Sequence, residues 1–262
     1  METAATSRCI AQATNGFYPE KYQFQVTDSM SNQYPFNLAF LKDLKKLKIH
    51  PQVTFFVGEN GMGKSTLIEA IAVASGFNAE GGTKNFNFNT RASHSDLHEF
   101  IRTSRGTRRH TDGFFLRSES FCNLSTEIEN LDKHGMGPKI IDSYGGKSLH
   151  EQSHGESFWA LFMHRLRGNG FYILDEPEAA MSPTRQMAML CKMNELIGLG
   201  SQFIIATHSP ILIAYPESVI YEFGQTGITI KNYKETELYK SYANFIQDSD
   251  NHIRYLLQND RM

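Results

Sequence analysis

A glycine-rich loop between an apolar run and a helix-forming segment is the feature that most constrains this chain. Residues 58–65 read GENGMGKS and follow the run VTFFV at 53–57. The next residues, STLIEAIA from Ser65 onward, favour a helix. Strand, glycine-rich loop and helix in this order are the setting in which such a loop cradles phosphate groups. The sequence therefore predicts a site for a nucleoside triphosphate.

The residue types in this loop assign a role to each position. Gly58, Gly61 and Gly63 allow the backbone to curl with its N–H groups inward, because glycine adopts positive φ at little cost. Lys64 is predicted to reach the β- and γ-phosphates, and Ser65 to ligate Mg²⁺. The predicted nucleotide-binding residues of this segment are Gly58, Asn60, Gly61, Gly63, Lys64, Ser65 and Thr66.

Composition indicates an ordinary globular protein and limits the cellular compartments in which we expect it. The 26 Lys and Arg residues nearly balance the 28 Asp and Glu residues, so bulk charge favours neither a nucleic-acid binder nor an acidic tail. Cys9, Cys122 and Cys191 are widely separated, which indicates a reducing compartment and no metal-ligand spacing. No apolar run approaches the roughly 20 residues that span a bilayer, and the N-terminus lacks the order of a secretory signal. We expect a cytoplasmic protein without membrane insertion.

Apolar runs and helical periodicities alternate along most of the chain and predict an α/β fold. The predicted strands are 22–26, 53–57, 113–117, 171–174 and 202–206, with a hairpin at 219–223 and 228–233. The predicted helices are 65–74, 95–103, 121–131, 157–167 and 183–198, with one more at the C-terminus. We interpret residues 1–262 as a single domain, with an inserted helical subdomain at about residues 80–150.

Two carboxylates follow the apolar run FYIL at 171–174. Asp175 and Glu176 would stand at the carboxyl end of a parallel strand, where ligands bind in open α/β sheets. Asp175 is predicted to hold Mg²⁺, and Glu176 to polarise an attacking water as general base. The alternative is a turn that carries two solvated acids.

Two further segments carry polar groups beside predicted elements. His208, in ATHSP, ends the next strand and is by default a surface or capping residue; at this sheet edge a neutral imidazole could donate a hydrogen bond to the γ-phosphate. Residues 153–157 read SHGES just before a helix, where Ser153 and the amide of Gly155 would make a second anion site.

These four ordered motifs resemble the ABC-type ATPase superfamily, in its compact non-transporter members near the RecF- and SMC-like branch. The resemblance covers about residues 36–235 and implies a P-loop ATPase head that uses ATP and Mg²⁺. Ser153, Gly155 and Glu156 correspond to the signature motif, which by resemblance contacts the γ-phosphate of ATP bound to a second subunit. The resemblance thus implies a head-to-tail homodimer that closes on ATP, with Glu176, His208 and Lys64 as catalytic residues.

The chain departs from the family pattern at two places. The family has a glutamine at the strand leading into its helical subdomain, but no glutamine occurs between Gln52 and Gln152. Glu119 or Ser118 stands near that position, and we expect Glu119 to join Ser65 and Asp175 as a metal ligand. The dimer-contacting loop at residues 181–185 also lacks the family's usual aspartate.

The sequence leaves the partner open. The basic residues Arg102, Arg105, Arg108 and Arg109, with Arg91 and Arg117 nearby, could follow a nucleic-acid backbone, form a solvated face, or supply one arginine to the nucleotide. His94 and His98 share a helical spacing, but surface histidines are the better interpretation because no third metal ligand is in view.

Three functions are compatible with these motifs. The first is an ABC-type ATPase in DNA repair, genome maintenance or defence. The second is the soluble ATPase subunit of a transporter, against which the missing glutamine and the Ser-His-Gly-Glu signature argue. The third is an ATP-dependent switch or binding module for a protein partner.

Overall fold

The computed structural model of the chain describes residues 19–27, 30, 32–42, 44–84, 95–104, 106, 108–134, 139–148, 150–151 and 153–259. The strands are β1 (Lys21–Phe24), β2 (Lys46–Lys48), β3 (Val53–Gly58), β4 (Ile101–Ser104), β5 (Asp112–Arg117), β6 (Gly170–Asp175), β7 (Gln202–Ala206), β8 (Ser218–Gly224) and β9 (Gly227–Lys231). The helices are α1 (Lys64–Ala74), α2 (Phe121–His134), α3 (His154–Ala160), α4 (Pro183–Gly198), α5 (Glu237–Gln247) and α6 (Ser249–Asn259). A π-helical turn, Leu161–Arg165, extends α3.

The main sheet has six strands in the order β5-β6-β7-β3-β8-β9. The first five of these run parallel, and β9 pairs antiparallel with β8. Because parallel strands end at the same edge, the segments that follow β3, β6 and β7 lie close together. The phosphate loop, the carboxylate pair and the histidine segment follow these three strands.

Strand β3 contributes side chains to both faces of this sheet. Val53, Phe55 and Val57 point to one face and pack with the apolar sides of α2, α3 and α4. Phe56 points to the opposite face, where α1 and the small sheet cover it. Because both faces of the strand are buried, apolar residues occupy both sets of alternating positions, and the polar Thr54 is buried with them.

A second, three-stranded antiparallel sheet has the order β2-β1-β4. Tyr22 pairs with Leu47 on one side and with Thr103 on the other. Tyr22, Phe24, Leu47 and Ile101 are buried on its inner face. The small sheet therefore closes the core on the α1 side.

The structure confirms the predicted α/β class and most of its elements; the larger differences are strand β2, which the sequence did not predict, and the following three. The helix predicted at 95–103 is wrong: Asp96–Phe100 forms a 3₁₀ turn and Ile101–Ser104 is strand β4, paired with β1. Helix α3 begins at His154, earlier than the predicted residue 157. The single closing helix is two helices, α5 and α6.

The proposed insertion at residues 80–150 contributes to the main fold. Strand β5 lies within it and forms the edge of the main sheet beside β6. The extent of an inserted subdomain thus stays a prediction. Among the helices of the described ranges, none combines the length and apolar character needed to cross a bilayer.

Candidate nucleotide-binding site

The phosphate loop leaves the centre of the main sheet at the end of β3 and enters α1 at Lys64. Gly63 caps the helix with φ of 88°, and a Cβ there would lie 2.6 Å from the Phe40 ring. Gly58 has φ of 139°, and a Cβ on it would press against the backbone of Phe223. Backbone angle and space both require glycine at these two positions, so the loop's glycines are set by its curvature and its close packing.

Lys64 is only 4 % exposed, although it carries a charge. Its ammonium group donates hydrogen bonds to the carbonyl oxygens of Gly58, at 2.8 Å, and Glu59, at 2.9 Å. Burial lowers the pKa of Lys64, while Glu176 and Asp175 act in the opposite direction. The backbone of the loop therefore curls around the ammonium group of Lys64.

Asp175 ends β6 directly beside the start of α1. The Ser65 hydroxyl donates to its Oδ1 at 3.4 Å. Burial, followed by repulsion from Glu176, raises the pKa of Asp175 to about 7. The structure thus holds a hydroxyl and a buried carboxyl group together, and both are hard oxygen donors.

Glu176 and His208 face one another across the ends of β6 and β7. The Nε2 atom of His208 lies 3.5 Å from Oε1 of Glu176. Glu176 has a left-handed backbone, with φ of 51° and ψ of 53°, which is uncommon for a residue other than glycine. Burial first, and then the charge of Lys64, lowers the pKa of His208, so its imidazole is neutral at pH 7.

Glu178 is a site residue that the sequence reasoning missed. Its Oε1 accepts the backbone N–H of His208 at 2.5 Å and so ties the histidine segment to the carboxylate loop. Burial raises the pKa of Glu178. The signal was present in the sequence, since Glu178 completes the string DEPE after β6.

A cavity of about 450 Å³ opens in front of the phosphate loop, a size typical of small-molecule sites. Its walls include the predicted residues Asn60, Gly61, Gly63, Lys64, Ser65, Thr66, Glu119 and Glu176. Tyr34 also lines it, and its hydroxyl lies 3.0 Å from Oγ1 of Thr66. Tyr34 was not predicted, because its place depends on how the chain before β2 folds back over α1.

The two candidates for the missing glutamine have different positions. The Ser118 hydroxyl donates to the carbonyl oxygens of Asp175 and Glu176, both at 2.8 Å, and so is engaged with the backbone of the carboxylate loop. Glu119 lines the cavity, and its side chain is 83 % exposed. Of the two, Glu119 is the one with access to a ligand in the cavity.

The signature segment lies at the start of α3. The Ser153 backbone N–H and hydroxyl both donate to Glu156, at 2.9 and 2.7 Å, and these bonds hold the pKa of Glu156 below its ordinary value. A Cβ on Gly155 would collide with the carbonyl oxygen of Ala180. Within the described ranges, the signature residues do not line the phosphate-loop cavity of their own chain.

The basic segment does not form one stripe. Arg117 forms a 2.6 Å ion pair with Glu69. Arg102 is exposed on the small sheet, whereas Arg108 and Arg109 line a separate cavity beside Pro51. Arg91, Arg105 and His94 lie outside the described residues, and the Nδ1 atom of His98 contacts the carbonyl oxygen of Ser95 at 3.0 Å.

Part of the chain matches a known family in sequence, and several solved structures are partly similar to it. Residues 34–130 match the family described as AAA domain. No curated protein matches the chain in sequence. Among solved structures, the SMC head domain from Thermotoga maritima is 15% identical with a TM-score of 0.40, and the similarity covers 81% of this chain and 97% of that one. An ATP-binding cassette of an ABC transporter is 17% identical with a TM-score of 0.45, over 75% and 90%.

The AAA-domain match spans the phosphate loop and α1, and the residues downstream of it complete the pattern. Asp175, Glu176 and His208 follow neighbouring parallel strands and lie at the same sheet edge as Lys64 and Ser65. The AAA-domain match over residues 34–130, the order of the motifs and the sheet topology agree with the expected resemblance to ABC-type P-loop ATPases.

Proposed function

We propose that the chain binds ATP with Mg²⁺ in the phosphate-loop cavity and hydrolyses it. One observation carries the proposal: a buried cation, a hydroxyl, a buried carboxyl group, a second carboxylate and a neutral imidazole converge on one sheet edge. These groups are Lys64, Ser65, Asp175, Glu176 and His208. An ion pair or a solvated turn would not need all five together.

Mg²⁺ suits the donors that line this edge. The Ser65 hydroxyl, the Asp175 carboxyl group and the exposed Glu119 carboxylate supply hard oxygens of the kind this ion prefers. No group of three or more His, Cys, Asp or Glu side chains in the described ranges could hold a metal by itself, which agrees with an ion that completes its shell with phosphate and water. When bound, Mg²⁺ would neutralise charge on the phosphates.

Glu176 has the position and the exposure of a general base. Its side chain is 40 % exposed, so an attacking water can reach it. His208 lies beside it with a lowered pKa and can donate one hydrogen bond to a γ-phosphate without carrying charge. Lys64 supplies the positive charge at the loop.

The site needs a second copy of the chain in this proposal. Ser153, Gly155 and Glu156 do not line the cavity of their own chain, and Ser153 and Glu156 are exposed to solvent. A head-to-tail dimer would place the signature of one copy over the nucleotide of the other, as the family resemblance implies.

Glu176→Gln tests the enzymatic part of the proposal. We expect the variant to bind ATP with wild-type affinity but to turn over at least about 100-fold more slowly, because the amide cannot accept the proton of water. Glu195→Gln, an exposed acid on α4, is the matched control and should hydrolyse ATP at the wild-type rate. Wild-type turnover by the Glu176 variant in a phosphate-release assay would exclude Glu176 as the base.

A basic face on the small sheet favours DNA as the partner of this ATPase. On β1, Gln23 pairs with Lys46 on one side and Arg102 on the other, and Lys21 pairs with Lys48. The four cations thus share the outer face, opposite the buried Tyr22 and Leu47. Among the described residues none of the four forms an ion pair, so all four are available to phosphate groups.

Replacing Lys46, Lys48 and Arg102 by alanine tests this partner. We expect DNA to stimulate wild-type turnover, and the triple variant to lose this stimulation and to lower the salt slope of DNA binding by about 3, or about 1 per cation. The matched control removes three cations elsewhere, Lys133, Lys139 and Lys234, all exposed. Equal losses in both triple variants would show that only net charge matters.

A further inference from the structure

Helices α5 and α6 expose a concentrated apolar surface, here called the C-terminal patch. It consists of Tyr242, Phe245, Ile246, Ile253, Tyr255, Leu256 and Leu257. Elsewhere in the described ranges, large exposed hydrophobic side chains stand singly, at Tyr34, Leu131, Met163, Met187, Leu199 and Ile230. Single exposed residues are ordinary on protein surfaces, whereas a cluster of this size marks an interaction site.

Helix α6 has little support from its own chain. Residues 250–258 are all exposed, and the main contact of the helix is with α5, where the Phe245 and His252 rings approach to 6.3 Å. Ile253, Leu256 and Leu257 recur at the spacing of one helix face. A helix of 11 residues is marginal in water on its own, so this apolar stripe calls for a covering surface.

The size of the patch matches one half of a stable interface. A large side chain can bury roughly 150–250 Å². Multiplying such an area by the exposed fraction of each of the seven side chains gives on the order of 700 Å² of exposed apolar surface. The largest apolar patch on a typical monomer is about 300–600 Å². Each partner contributes about 800 Å² to an interface of standard size. The patch is therefore large enough to hold a dimer together.

We propose that the C-terminal patches of two copies pack against each other and form a dimer that does not require nucleotide. Only the same patch on another copy offers a comparable apolar surface, since the other exposed hydrophobic residues in the described ranges are scattered. Exposed charges of both signs lie along α5 and α6, Lys240 and Arg254 against Asp248 and Asp250, so two copies related by a twofold axis can pair opposite charges; Lys240 also pairs with Glu237 of its own chain. The choice of a second copy over another protein rests on the proposed function, which needs two chains for each site.

The first part of helix α5, which precedes the patch, borders the nucleotide site. Glu237, Leu238 and Ser241 of α5 line a cavity of about 470 Å³ together with Gly58 and His208. A dimer formed through α5 and α6 would keep two phosphate loops on one particle between rounds of ATP closure.

Light scattering of the full chain without nucleotide tests the proposal. We expect a dimer, and we expect Ile246→Glu to weaken it at least about 100-fold, because an unpaired carboxylate would be buried in the interface. Ile246 is 74% exposed and Ile230, on β9, is 67% exposed, so Ile230→Glu is a matched control that should remain dimeric. Neither substitution buries a charge within one chain, and circular dichroism should confirm that both variants fold.

Two results would overturn the proposal. One is a wild-type chain that stays monomeric without nucleotide up to about 100 μM; the other is equal weakening by the Ile246 and Ile230 variants. Hydrogen exchange adds an independent readout: the amides of residues 249–258 should exchange faster in Ile246→Glu than in wild type. ATP binding, measured on the same samples, separates the two proposals, because a dimer that binds no ATP would contradict only the proposed function.

Discussion

At the scale of single residues, Asp175 is the side chain whose position costs folding free energy. Its carboxyl group is buried beside Glu176, and the only nearby compensation is Ser65 and the more distant charge of Arg117. A raised pKa of about 7 means that the folded chain binds a proton which the unfolded chain has already released. A buried acid kept at such a cost fits a residue retained for ligand binding.

The pKa of Asp175 sets a pH dependence. Between about pH 4 and pH 7 the folded state binds more protons than the unfolded state, so the free energy of unfolding falls as pH rises through this window. Asp175→Asn should remove the contribution of Asp175 to this dependence, leaving that of Glu178, and stabilise the chain at pH 8 by on the order of 1–3 kcal/mol. Urea unfolding at pH 5 and pH 8, without nucleotide, measures it.

Asp142 is exposed, so Asp142→Asn serves as the control. This substitution should leave the free energy of unfolding unchanged at both pH 5 and pH 8. A lower stability of Asp175→Asn than of wild type at pH 8 would show that the fold stabilises the Asp175 carboxylate and does not raise its pKa.

At the scale of elements, the signature helix α3 is seated on the loop that follows the carboxylate pair. Glycine is required at position 155 because a Cβ there would collide with the carbonyl oxygen of Ala180 and crowd the Arg185 guanidinium. Gly198, at the end of α4, has no heavy atom within 4 Å of a built Cβ and has an ordinary helical backbone. Position 155 therefore has no room for a side chain, whereas position 198 has room for one.

Alanine substitutions at these two positions should differ in sign. Gly155→Ala should lower the free energy of unfolding by about 1–3 kcal/mol through overpacking. Gly198→Ala should raise it by about 0.5–1 kcal/mol, because alanine favours the helix. Thermal unfolding of both variants measures this, and a stabilising Gly155→Ala would mean that α3 is free to shift from Ala180.

The elements that were predicted correctly are those in which local pattern and tertiary setting agree. In the first such region, strand β3 is buried on both faces and is followed by the glycine-rich loop and the start of α1. In the second, Ser182 and Pro183 mark the start of α4. The helix predicted at 95–103 is wrong because the spacing of Leu97, Phe100 and Ile101 also fits one face of a helix. Ile101–Ser104 instead forms a strand because it pairs with β1, which is distant in sequence.

The candidate site likewise contains residues that the sequence predicts and contacts that it does not predict. Lys64, Ser65, Asp175, Glu176 and His208 could be named because each lies at the end of a recognisable strand or in the segment that follows it. Tyr34 and the bond from His208 to Glu178 could not, because they depend on how distant segments fold together. The left-handed backbone of Glu176 likewise has no signal in the sequence, since glycine would be the expected residue there.

At the scale of the whole molecule, we expect a complete active site to have residues from two chains. Lys64 lies in the cavity of one copy, and Ser153 would come from the other. Variants that lack one half each should therefore complement each other, whereas a site within a single chain could not be rebuilt by mixing.

Mixing Lys64→Ala with Ser153→Arg and measuring ATP turnover tests this claim most directly. Each variant alone should be inactive. An equal mixture should recover up to roughly one quarter of wild-type turnover, because half of randomly assorted dimers are heterodimers and each holds one intact site. Turnover in the mixture no greater than the sum of the separate variants would contradict the two-chain site.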